Sequence, residues 1–151
     1  MRFLFIMLLC LVGLSGESFA QRKLDSLKRE TETIKSDSLK VQAYISLILE
    51  YNRLNFDSAL KYANKAEKLS KENGSKLLLA RSKYRKATVY INSNQEELAQ
   101  LEIDSAIQLS TLAGDSIILL SAKIDQGKLR QYNSDYDQAV IEFFDALLLA
   151  E

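Results

Sequence analysis

Slid against itself, the chain matches at an offset of forty residues. Ala59 returns as Ala99 and Ala139, Ala66 as Ala106 and Ala146, and Leu69 as Leu109 and Leu149, while Gly74 pairs with Gly114. A fixed period of about twenty to fifty residues means stacked supersecondary units, because one such unit cannot bury its apolar face alone. Within each period the pattern predicts two helices. The stretch EELAQLEIDSAIQLSTLA puts Leu98, Ala99, Ile103, Ala106, Ile107 and Leu109 on one stripe, with charges and amides opposite.

The 151 residues include no proline and only five glycines, so little interrupts a helix. Helices are expected near 37–53, 56–73, 76–92, 95–112, 116–132 and 136–151, with an accessory helix and linker over 21–36. Asn55 is expected to cap one start, and Asn94 with Glu97 and Ser134 with Asp137 have the spacing of capping boxes. Gly74 and Gly114 suit the left-handed conformation that closes a helix, with Ser75 and Asp115 opening the next. The fold class that follows is all-α, a solenoid of antiparallel helix pairs with about three repeats. The recurring alanines then mark helix crossings, where a larger side chain would force backbones apart at about 1–3 kcal/mol.

The first twenty residues, MRFLFIMLLCLVGLSGESFA, belong to a different class. Arg2 precedes an apolar run from Phe3 to Val12, and Ser18 and Ala20 are small. That order is the signature of a secretory signal peptide over 1–20, cut after Ala20. The run is shorter than the roughly twenty apolar residues of a membrane span, and no span is expected in the mature chain. Export to the periplasm or the medium follows. The one cysteine, Cys10, lies in the apolar run, so the mature chain would depend on packing without disulfides.

Twenty basic residues balance twenty acidic ones without a block of either sign, which argues against a nucleic-acid partner and reads as a solvated, mixed-charge surface. There is no histidine, hence neither the commonest general base nor the commonest zinc ligand. Glycine-rich phosphate loops and metal-ligand spacings are missing too, so no cofactor and no metal are expected. Glu96 and Glu97 read as first-turn helix charges rather than an acid–base pair. The chain is read as non-enzymatic.

From about residue 37 onward the sequence resembles the tetratricopeptide repeat family. That pattern takes a small residue late in the first helix, then an aromatic, a small, a bulky and a small residue in the second. Gly127, Tyr136, Ala139, Phe143 and Ala146 fit it best. Ala87, Tyr90, Ala99, Ile103 and Ala106 follow, with Glu96 in the aromatic position; Phe56, Ala59, Ala63 and Ala66 do so with Leu47 in the small one. The family's tryptophan and closing proline are absent, and forty residues exceed its usual period of about thirty-four. HEAT and armadillo repeats share the longer period, but usually with proline or a third helix.

The resemblance implies a right-handed α-solenoid with a concave groove lined by the first helix of each repeat. Carried over, its positions are Tyr44, Ile48 and Tyr51; then Arg81, Tyr84, Thr88 and Ile91; then Ile124, Lys128 and Gln131, with unequal turn lengths leaving the register open by one residue. Such a groove suits a peptide or protein partner. The signal peptide followed by this repeat start also resembles the extracytoplasmic N-terminal region of bacterial sensor histidine kinases and related regulators, which implies a sensory role as the alternative. Phe143, Phe144, Leu147 and Leu148 are expected to lie uncovered near the last residue, as in a fragment or a chain that self-associates through its last helix.

Overall fold

Local chemistry sets where each helix begins. Asn55 accepts a hydrogen bond from the backbone N–H of Ser58 at 2.8 Å, Ser75 from Leu78 at 3.3 Å and Asp115 from Ile118 at 3.3 Å. Each satisfies a donor that the first helical turn leaves unpaired. Gly74 and Gly114 close their helices at φ 72° and 69°, where a side chain would be strained.

The computed structural model describes residues 21–150. It contains α1 (residues 21–33), α2 (Asp37–Tyr51), α3 (Phe56–Asn73), α4 (Lys76–Asn92), α5 (Glu96–Ala113), α6 (Ser116–Tyr132) and α7 (Tyr136–Ala150), with no strand among the described residues. The expected signal peptide lies outside the described residues.

Two expected caps are different devices. Asn94 and Ser134 take φ 55° and 62°, and their N–H groups bond to the carbonyls of Ile91 and Gln131 at 3.1 Å. They close α4 and α6 instead of opening α5 and α7. Asparagine tolerates the left-handed region, and the Gln95 N–H, bonding back to Tyr90 at 3.0 Å, completes the turn.

The helices form a tetratricopeptide-like solenoid. The pairs α2–α3, α4–α5 and α6–α7 pack most intimately, α3 and α5 each also pack on the first helix of the next pair, and α2, α4 and α6 touch in succession. The recurring alanines lie at these crossings. Ala59, Ala99, Ala66 and Ala106 are fully buried, and Ala139 and Ala146 nearly so.

Two cores share α4. Leu78 and Val89 face back to Val41, Ile48, Ala59, Ala63 and Ala66, while Tyr84 and Ala87 face forward to Ala99, Ile103, Ala106, Ile118, Ala122 and Leu129. Burying a side chain the size of Ile103 contributes about 2 kcal/mol. The α1 helix docks through buried Leu24 and Thr31, a Lys23–Glu50 ion pair at 2.6 Å, and the Lys28 ammonium 5.6 Å from the ring centre of Tyr51.

On α7, Val140, Ile141, Phe144, Leu147 and Leu148 are exposed. Phe143 departs from expectation: it is half-buried, with its ring against Gly127.

Candidate partner-binding groove

The first helices, α2, α4 and α6, touch in succession and contribute to two depressions. The larger, about 340 Å³, lies between Gln42, Ile45 and Ser46 of α2, Arg81 and Arg85 of α4, and Asp115, Ile117 and Ile118 at the start of α6. The smaller, about 140 Å³ and mostly apolar, lies between the end of α4 with Ile91, Asn94 of the following turn, Glu96 at the start of α5, and Asp125, Lys128, Leu129 and Tyr132 of α6.

Three of the expected groove residues line these depressions: Arg81, Ile91 and Lys128. Others are drawn into the packing. Ile48 is fully buried in the α2–α3–α4 core and offers nothing to a partner. Tyr84 is 8% exposed and spans to the next first helix, its hydroxyl donating to Asp125 Oδ2 at 2.9 Å. Burial, followed by the Asp125 carboxylate, pushes the Tyr84 phenol up to about 12, so it stays a neutral donor at any ordinary pH.

Tyr44 and Tyr51 flank the ring of Tyr62 on α3, at centroid distances of 5.9 and 5.7 Å. Both are half-buried in that aromatic cluster. Thr88 is half-buried, its hydroxyl donating to the Arg85 carbonyl at 2.7 Å. Ile124 is half-buried, and Gln131 is exposed.

The residues that replace them stand one position on: Ile45 for Tyr44, Arg85 for Tyr84, Asp125 for Ile124 and Tyr132 for Gln131. The slip has a packing cause. A tyrosine at positions 44 and 84 is large enough to reach a neighbouring helix, which turns the following residue outward. Asn52 was also missed. It ties α2 to α4, its Nδ2 reaching the Thr88 carbonyl at 3.5 Å, and its buried Oδ1 has no hydrogen-bond partner among the described residues.

The charges of this face are unevenly committed. Arg81 Nε donates to Asp115 Oδ2 at 2.8 Å, and Asp115 is buried at the N-terminus of α6. Lys128 pairs with Asp125 at 2.8 Å. Among the described residues no carboxylate pairs with Arg85, whose guanidinium lies 5.2 Å from the ring centre of Tyr84. A separate network lies between α3, α4 and α5, where Lys83 and Lys86 each bridge Glu67 and Glu102 at 2.7–3.1 Å. It joins helices and lines neither depression.

A family model described as the SusR N-terminal TPR domain matches residues 18–95, just over half of the chain. The chain belongs to that family. The matched part of this SusR-type TPR domain runs through α1, α2, α3 and α4 and so includes two walls of the groove. Among solved structures it is similar to the apo form of RapI, with 19% identity, a TM-score of 0.69, and coverage of 88% of this chain and 36% of RapI. It is also similar to BtubC (BKLC) from P. vanneervenii, with 21% identity, a TM-score of 0.69, and coverage of 89% and 54%. At that identity the likeness shows the fold, and the chain spans about a third to a half of those proteins. No curated protein sequence matches.

Proposed function

We propose that this SusR-type TPR domain is a non-catalytic, exported interaction module that holds a peptide or protein partner against the face of α2, α4 and α6. Tetratricopeptide arrays are protein-interaction scaffolds, and the supporting observation is the pair of depressions, one edged by arginines and isoleucines and one mostly apolar. Stacked helix pairs make an extended surface of this kind, and aromatic or arginine anchors on it suit a bound segment. Export is inferred from the leader-like first twenty residues.

The alternative places the chain as the N-terminal sensory part of a membrane-bound sensor histidine kinase or signalling regulator. The family's description as an N-terminal domain favours it. Both readings use one groove, so one experiment tests them. With p-benzoylphenylalanine in place of Ile45 or Ile117, irradiation in the native host should give a discrete covalent adduct. The same residue in place of Leu101, exposed on α5, should give none. Equal labelling from all three positions would refute the groove.

A further inference from the structure

The groove reading says where a partner lies; the charges within it say what that partner carries. We propose that the larger depression recognises a carboxylate side chain within an acidic, aliphatic-flanked segment of a protein partner, with Arg85 as the residue that binds it. The inference rests on the groove reading and deepens it.

Three cations on this face can be sorted by what they already hold. Arg81 already has a carboxylate partner in Asp115, through its Nε, and Lys128 has one in Asp125. Arg85 lines the depression without a carboxylate partner among the described residues. Counted together, two guanidinium groups and one carboxylate leave a single positive charge in a space of about 340 Å³. Asp115 would repel an incoming carboxylate, but its own charge is already met by Arg81 and by the Ile118 N–H at 3.3 Å.

Arg85 also has an aromatic neighbour. Its guanidinium lies over Tyr84, and Tyr84 is itself fixed by its hydrogen bond to Asp125. A guanidinium beside a ring keeps N–H edges that can grip a carboxylate through two parallel bonds. Ile45 and Ile117 flank the charge with apolar surface, and Gln42 adds an amide, so the chemistry fits an acidic residue between aliphatic neighbours better than a bare anion.

The probe is an acetylated, amidated pentapeptide with a central glutamate between two leucines, titrated into the isotopically labelled full chain and followed by NMR. A second peptide has glutamine in place of the glutamate. Shifts at Arg85, Gln42 and Ile117 should saturate with the first peptide and need roughly tenfold more of the second. Arg85→Gln should bring the first peptide to the level of the second, and Arg85→Lys should fall between, with melting temperatures nearly unchanged.

Equal affinity for both peptides, indifference to Arg85→Gln, or no shift at millimolar peptide would each overturn the carboxylate assignment. Shifts that stay within the depression but ignore charge would spare the groove itself. Shifts confined to α5 and α7 would remove the groove reading as well.

Discussion

Position 127 holds a glycine in mid-helix because of what lies across from it. A Cβ built there would meet the Phe143 ring at 2.7 Å. Forty residues earlier the corresponding pair is Ala87 and Ile103, and forty before that Leu47 and Ala63. Read back along the chain, the first-helix residue of the pair grows as the second-helix residue shrinks. Leu47 breaks the small-residue pattern and is nonetheless fully buried. The substitution Gly127→Ala gains about 1 kcal/mol of helix propensity but must displace the ring. The expected net loss is about 1–2 kcal/mol in a urea melt. With Phe143→Leu already in place the same change should become neutral or favourable, a non-additivity expected of residues in contact.

At the scale of helices, sequence periodicity located the elements well, because caps and αL glycines act within a few residues. It located the turns at Asn94 and Ser134 less well, since a residue that closes one helix and a residue that caps the next share one composition. The charges were hardest to place. Glu67, Lys83, Lys86 and Glu102 read as solvated surface, yet Glu67 is 8% exposed and both lysines are largely covered. The pattern even recurs, with Lys123 and Glu142 at 2.8 Å standing forty residues beyond Lys83 and Glu102.

Burial alone would push the Glu67 carboxyl up. Hydrogen bonds from Lys71, Lys86 and Lys83 outweigh it and hold the group down to about 2, against 4.5 ordinarily. A depressed folded value means stability fully present above about pH 4.5 and lost as pH falls through about 2. Acid titration of stability should therefore steepen in that window, and Glu67→Gln should flatten it. At neutral pH that variant should lose about 2 kcal/mol, less than a fully buried pair because both lysines keep Glu102. A melt as steep in the variant as in the parent would show that the network contributes little.

For the molecule as a whole, the period was enough to identify a helical array, but not which first-helix residues line the two depressions. The first helices touch their own partners, the preceding second helix and one another, so they are covered on several sides and their stripe is blurred. The recurring alanines escape this ambiguity, since a small residue marks a crossing whichever way the helix is turned.

The central claim is that close backbone approach at those alanines holds the stack together. Its most direct test is the denaturant-induced unfolding of Ala99→Leu beside Ala139→Leu. Ala99 is fully buried in the core that α4 and α6 share, whereas Ala139 lies on α7, the last helix of the described array. Ala99→Leu should cost about 1–3 kcal/mol and exceed the cost at Ala139, whereas an unchanged or raised midpoint for Ala99→Leu would contradict the account.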